Sequence, residues 1–172
     1  MPFFQKITGE RLYLSPPDTD SEELYVKWLN DPEVSTNLSL YSQVFPFSRK
    51  QMEYPKEHSY TIVLKDGDRP IGTVNLMDVD HLHQRATLGI HIGESDCRGK
   101  GYGAEAIKLI IDYGFKHLHL HNIQLHVQST NEQGIACYKK VGFKEFGRRH
   151  ECGYINGQYI DSVHMEIINN AI

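Results

Sequence analysis

The sequence predicts a mixed α/β (α+β) fold, a mostly antiparallel sheet with helices packed on it. Three strand-like runs follow one another between residues 60 and 92, joined by short turns as in an antiparallel meander. A further strand pattern, Ile123 to Val127, stands between two stretches of helical periodicity. Near the end, Asn156-Gly157 separates two more strand-like runs, the residue pair that a tight hairpin favours because both positions need φ > 0.

Taken in order, the alternation Arg11-Leu12-Tyr13-Leu14 reads as a short strand closed by Pro16-Pro17. Asp20 offers an N-cap with Glu23 three residues on, and Leu24, Tyr25, Trp28 and Leu29 then share one helical face until Asp31-Pro32 stops the helix. Residues 35–58 have weak periodicity and two prolines, which predicts irregular chain around one short helix. The meander comprises Tyr60 to Leu64, the turn Asp66-Gly67, Ile71 to Leu76, and Ala86 to Ile92, with Ala86, Leu88, Ile90 and Ile92 on one face. Ile107, Ile110, Ile111, Gly114, Phe115 and Leu118 recur at the spacing of a buried helical stripe. Ile123, Leu125 and Val127 alternate with Gln124, His126 and Gln128, a half-buried strand, and Glu132 to Val141 reads as a second helix closed by Gly142.

The chain has 172 residues, 40% of them hydrophobic, with 18 basic against 22 acidic side chains and a formal net charge of −4. One domain over residues 1–172 is expected at this length. The negative balance removes the basic footprint of a duplex nucleic-acid binder. No run of ~18 apolar residues predicts a membrane span, and Met1 to Arg11 lacks the pattern of a secretory leader. Cys97, Cys137 and Cys152 form no C-x-x-C pair, which points to a reducing, cytoplasmic setting.

The chemistry is concentrated in Cys97-Arg98-Gly99-Lys100-Gly101-Tyr102-Gly103-Ala104, which joins a strand to a helix N-terminus. Glycines let the backbone take φ > 0 and approach a ligand, and the first helical turn offers unpaired N–H groups and about half a positive charge. A phosphorylated cofactor is expected from that geometry, with Arg98 and Lys100 adding cationic reach, and the plainer reading of the same residues is a glycine turn. A nucleotide P-loop would need Ser or Thr after Lys100, where Gly101 stands. A dinucleotide fingerprint would open the first βαβ unit of a parallel sheet, whereas this loop follows an antiparallel meander.

With Arg98-Gly99-Lys100-Gly101-Tyr102-Gly103 matching the pattern Q/R-x-x-G-x-G/A, the sequence resembles the GNAT superfamily of acyl-CoA-dependent N-acetyltransferases over roughly Arg11 to Met165. Asn131 followed by Tyr138-Lys139-Lys140-Val141-Gly142-Phe143 looks like that family's later Asn…Tyr-x-K-x-G-F element. Gly9-Glu10-Arg11-Leu12-Tyr13-Leu14 and Trp28-Leu29-Asn30-Asp31-Pro32 resemble its RimJ/RimL-type branch, which is similar to the ribosomal-protein N-terminal acetyltransferases and also contains polyamine and amino-sugar enzymes. The resemblance implies a sheet splayed at its middle strands and direct transfer of acetyl from acetyl-CoA to a primary amine in a ternary complex, with no metal. It implies that backbone groups of His91, Ile92 and Gly93 pair with the pantetheine arm. The N–H groups of Arg98, Gly99, Lys100, Gly101, Tyr102 and Gly103 would cradle the pyrophosphate, Asn131 would hydrogen-bond the coenzyme, and Tyr138 would protonate the departing thiolate.

Each residue also has a plainer reading: Tyr138 as a core tyrosine, Asn131 as a helix N-cap before Glu132, Cys137 as a buried small hydrophobe. The base that takes the amine's proton is not named by the sequence; His91, Glu94, Glu53 and Glu57 are candidates. His117, His119, His121, and the pair His81 and His83, lack the i, i+4 spacing of a helical zinc site and read as solvated. Arg148-Arg149 reads as a solvated strand end. Acceptor identity stays open: a peptide N-terminus is favoured over a polyamine because polyamine-acetylating relatives carry a Glu where this chain has Thr87. The acidic stretch from Asp18 to Glu33 would suit a polyamine or simply be solvated. A homodimer is an expectation from analogy. The competing class is a non-catalytic acyl-CoA-binding module, which would have no need of a phenol at Tyr138.

Overall fold

The structure is a computed structural model and describes residues 3–38, 46–48 and 58–170. Glu53 and Glu57, two of the candidate bases, lie outside the described residues, as does most of the stretch expected to be irregular.

Eight strands form one sheet in the order β1-β2-β3-β4-β5-β6-β8-β7. They are β1 (Ile7–Thr8), β2 (Leu12–Ser15), β3 (Ser59–Leu64), β4 (Arg69–Asp80), β5 (Arg85–Ile92), β6 (Asn122–Gln128), β7 (Lys144–Ile155) and β8 (Gln158–Ile168). Among the described residues four α-helices accompany them: α1 (Glu22–Asn30), α2 (Pro32–Ser35), α3 (Tyr102–His117) and α4 (Glu132–Val141). The meander is as expected, and α4 ends at Gly142, whose φ of +119° is one that side chains resist. Asn156 and Gly157 both have positive φ (49° and 82°) and turn β7 into β8.

Three expectations are corrected. The N-cap of α1 is Ser21, not Asp20, because residues 19–21 make a short 3₁₀ turn and the Asp20 amide bonds Asp18 Oδ1 at 3.0 Å. β4 runs to Asp80, past the apolar run, because its polar end still pairs with β5 at Asp80↔Arg85. Arg148 and Arg149 lie within β7, not at its end, and Arg148 pairs with Glu145 at 2.6 Å. The two-residue β1 carries too little pattern to be read from sequence.

Helices cover both faces of the sheet. On one face Leu14, Ile62, Leu76, Leu88, Ile123 and Leu125 meet the α3 stripe of Ile107, Ile110 and Ile111, all buried. Each such side chain contributes about 1.5–3 kcal/mol on leaving water. On the other face, α1 lays Tyr25 and Trp28 over Thr61 and His91: the Tyr25 hydroxyl bonds Thr61 Oγ1 at 2.6 Å, and the Trp28 ring meets the His91 ring edge-on at 6.0 Å.

Strands β5 and β6 are parallel, and α3 supplies the long crossover that a parallel pair needs. Their pairing covers only Arg85↔Asn122, Ala86↔Ile123 and Thr87↔Gln124. Beyond Thr87 the strands part, which opens the middle of the sheet beside the α3 N-terminus.

Candidate active site

The glycine loop ends β5's excursion and starts α3. Gly99 and Gly101 have φ of +73° and +83°, and Gly101 is the helix N-cap, with no side chain to cap the turn. The first amide that bonds within the protein is that of Glu105, to the Gly101 carbonyl at 3.1 Å. Among the described residues, none of the N–H groups from Gly99 to Ala104 donates to the protein. Six donors left together at the positive end of a helix make an anion site without any charged side chain. The amide of Arg98 is excluded from that run because it bonds the Ser95 carbonyl at 3.2 Å.

Arg11 holds the loop from behind. Its Nη1 donates to the Lys100 carbonyl at 3.0 Å, its Nε to Glu105 Oε2 at 2.8 Å, and its guanidinium lies 4.6 Å from the Tyr102 ring centroid. The Arg11 amide donates to the other Glu105 oxygen, also at 2.8 Å. Burial opposes the charge on Glu105, yet these Arg11 contacts outweigh it and keep the carboxyl below its usual range. Anchoring the Lys100 carbonyl on the Arg11 side turns the Gly101 amide, trans to it across the same peptide, away from Arg11.

The Arg98 side chain does not reach over the loop. Its Nε and Nη2 donate to the carbonyls of Ile92 and Gly93, at 3.2 and 3.1 Å, and its Nη1 pairs with Glu33 of α2 at 2.9 Å. The end of β5 still pairs with β4 but has lost β6 by then, and the guanidinium fork takes up the Ile92 and Gly93 carbonyls. The Gly93 amide bonds the Ile71 carbonyl at 2.8 Å. The free edge expected over His91, Ile92 and Gly93 is therefore narrower than the resemblance implies.

An open cleft of about 1140 Å³ starts at the loop, follows the gap between β5 and β6, and continues to the opposite face of the sheet. Tyr138 lines it from α4, on the α3 side, with its ring edge-on to Phe143 at 5.9 Å. Burial, with Cys137 beside it, pushes the phenol pKa up to about 12, so the proton stays on the oxygen at neutral pH. Asn131 caps α4: its side chain accepts from the Gly134 amide at 2.9 Å. The plainer reading of Asn131 is thus present in the structure, and the cap leaves its side-chain NH₂ as a donor.

On the far side, His126 of β6 and His164 of β8 sit opposite each other in register, ring centroids 4.4 Å apart, and both line the cleft. Burial and the neighbouring His164 lower the pKa of His126. Of the bases expected from sequence, His91 is held near 4 by burial and by the Arg98 charge, with Nδ1 on Thr73 Oγ1 at 3.2 Å. Glu94 accepts from the Trp28 indole at 2.8 Å and from Arg69 at 3.0 Å, which together hold it below the usual carboxylate range against the effect of burial. Burial raises the Cys137 thiol, so little of it is thiolate. Among the described residues no cluster of three metal-ligating side chains occurs, and no helix is long and apolar enough to cross a membrane.

The sequence does not single out Arg11, Glu105, His126 or His164 as site residues, and it offers Glu33 only as part of an acidic stretch. Arg11 and Glu105 are 94 positions apart, and no local spacing signals their bond. His126 was legible as a solvent-side strand position, but its cleft exists only because β5 leaves β6 two residues earlier.

A family model described as an acetyltransferase (GNAT) domain matches residues 11–144. The spermidine N(1)-acetyltransferase of Escherichia coli (strain K12) is 38% identical over 109 residues, covering 63% of this chain and 58% of that relative, so the match spans little over half of that protein. An uncharacterized N-acetyltransferase, p20, of Bacillus licheniformis is 27% identical over 164 residues, 88% of this chain and 89% of that one. Among solved structures, the spermidine N-acetyltransferase of Vibrio cholerae in complex with CoA and spermine has a TM-score of 0.78 at 25% identity, over 93% of this chain and 96% of that chain.

Proposed function

Because the chain belongs to the GNAT acetyltransferase family, we propose that it moves the acetyl group of acetyl-CoA directly onto a primary amine. The observation that carries this reading is the run of free amides from Gly99 to Ala104 at the mouth of the β5–β6 gap. A CoA pyrophosphate suits those amides, and the gap suits an extended pantetheine arm. Phosphate held by backbone N–H groups and a helix terminus needs no metal.

The chain's own residues then divide the work. The loop orients the donor, with Arg11 and Glu105 keeping the loop in shape. Tyr138, still protonated at neutral pH, gives its proton to the leaving sulfur. A thiol of pKa about 8.5 is a fair leaving group already, so this help belongs toward the low end of the usual ~10²–10⁴-fold. Tyr138→Phe is expected to lower kcat by about 10–10³-fold and leave the acetyl-CoA Kd unchanged. An unaltered kcat would remove the phenol from the reaction, whereas a wild type that binds acetyl-CoA but turns over no amine would favour a non-catalytic acyl-CoA-binding module.

For the acceptor, the names of the similar proteins support a polyamine such as spermidine. A second reading, the α-amino group of a peptide, is favoured by the cleft itself. Of the acids lining it, Glu33 is paired with Arg98 and Asp161 with His150, and Thr87 is no carboxylate. The opening Gly9 to Leu14 motif supports a place in the RimJ/RimL-type branch, which is compatible with both acceptors. Calorimetry with acetyl-CoA, CoA and ATP tests the donor: micromolar binding of acetyl-CoA without an ATP signal is expected, and its absence would refute the proposal. Thiol release with spermidine, N-terminal peptides and amino sugars then ranks the acceptors.

A further inference from the structure

We propose that His126 is the base that takes the acceptor amine's proton, and that Gln128 holds the same nitrogen through its side-chain carbonyl. The inference rests on the acyl-transfer reading above and supplies the residue which that reading lacks.

Alternation along β6 sends Ile123, Leu125 and Val127 into the core and leaves Gln124, His126 and Gln128 on the opposite face. Pairing with β5 ends at Gln124, so His126 and Gln128 are the first residues of that face past the point where the strands part. Tyr138 reaches the same cleft from α4, on the other face. Acyl transfer has two proton tasks in two places, one at the entering nitrogen and one at the leaving sulfur. A gap with an imidazole on one side of the sheet and a phenol on the other serves both without one group blocking the other.

Gln128 adds an independent sign of a ligand. Its Nε2 is anchored on the Leu38 carbonyl at 2.7 Å, while its Oε1 is buried and, among the described residues, has no partner. A fixed carbonyl oxygen of this kind accepts an N–H well, and leaving it unmatched is costly.

The other candidates are worse bases. His91, at about 4, is too weak to draw a proton from an ammonium and is packed against Trp28. Glu94 is engaged by Trp28 and Arg69, Glu33 by Arg98, and Asp161 by His150 and the Glu151 amide. His164 lies one strand farther from the gap. The charged groups and histidines that share the cleft with His126 are Glu33, His91, Arg98, Lys140, Arg149, Asp161 and His164, and its other titratable groups are Tyr102, Tyr138 and the three cysteines. Burial and His164 both favour the neutral imidazole, the form a base requires.

The ammonium gives one proton to His126, and the freed nitrogen forms a C–N bond to the acetyl carbonyl carbon. The C–S bond breaks, and the sulfur takes the Tyr138 proton. The new amide nitrogen sheds its remaining extra proton to the tyrosinate, and His126 returns its proton to water.

The test joins an NMR titration of the histidine rings in the free protein with steady-state rates. His126, assigned by the loss of its signal in His126→Gln, should titrate below 6.5, and His164→Gln should move that titration upward. In the wild type, kcat/KM should rise with pH through the same value, and His164→Gln should shift that limb with it. His126→Gln should abolish the limb and lower kcat by about 100-fold for an amine of pKa near 10.4, and by less for an α-amino peptide of pKa about 8. Acetyl-CoA affinity should be unchanged in both variants. A wild type that binds no acetyl-CoA overturns the acyl-transfer reading itself. Transfer by His126→Gln at the wild-type rate and pH profile overturns only the assignment of His126.

Discussion

The chain builds two helix N-termini beside one cleft and finishes them in opposite ways. At α4 the Asn131 side chain caps the Gly134 amide, so the helix answers its own need for an acceptor. At α3 the N-cap is Gly101, in a left-handed conformation with no side chain to offer, and the amides from Gly99 to Ala104 remain open. Capping residues are common and cheap to place, so their absence at α3 is informative: the turn is held from behind, by Arg11 and Glu105, rather than from in front. A helix end braced on its back and bare on its face is a site shaped for an anion from outside, whereas a helix end capped by its own asparagine is structure.

If that contrast is correct, the largest effect comes from putting a side chain on the bare end. Gly101→Val introduces a β-branched residue at φ +83°, with its Cβ 3.4 Å from Arg11 Nη2. The strain of roughly 1–3 kcal/mol must be relieved by turning the peptide, which misdirects the amides. Acetyl-CoA affinity is expected to fall on the order of 100-fold in a calorimetric titration. Retained affinity would mean that the loop is only a turn.

Removing the brace should do less. Arg11→Ala deletes the bond to the Lys100 carbonyl and the ion pair with Glu105, whose partner side chains are 45% and 16% exposed. An ion pair so placed contributes at most about 1 kcal/mol to stability. The expected signature is an affinity loss of about 5–10-fold with a Tm change of only a few degrees. A large fall in Tm with unchanged affinity would make Arg11 a folding residue and break the parallel with a cap.

How much of this was legible depended on distance along the chain. The α3 end could be read directly because its glycines and helical stripe lie within a few residues of one another, and α4 with its Asn131 cap was equally local. The meander was legible from alternation, but the extent of β4 was not, since its polar end is held by pairing rather than by burial. The splay could not be derived from pattern at all. It depends on where β5 stops bonding β6, a register that only the folded sheet fixes, and it was implied by family resemblance alone. Arg98 illustrates the cost: beside the glycines its charge looked available to a phosphate, yet beyond the splay the Ile92 and Gly93 carbonyls claim it.

The smallest and sharpest test lies at the capped end. Asn131→Ala removes the acceptor for the Gly134 amide, a change worth about 1 kcal/mol, and should lower Tm by roughly 2–4 °C. That alone does not separate a cap from a ligand contact, because Ala deletes both the oxygen and the NH₂ group. Asn131→Asp does separate them: a carboxylate still accepts from Gly134, so Tm should hold, while the NH₂ donor of this cleft-lining residue is gone. One lost hydrogen bond, near an anionic ligand, predicts acetyl-CoA affinity lower by about 3–10-fold. Should Asn131→Asp bind acetyl-CoA as tightly as the wild type, Asn131 belongs wholly to its helix, and α3 alone of the two N-termini serves the ligand.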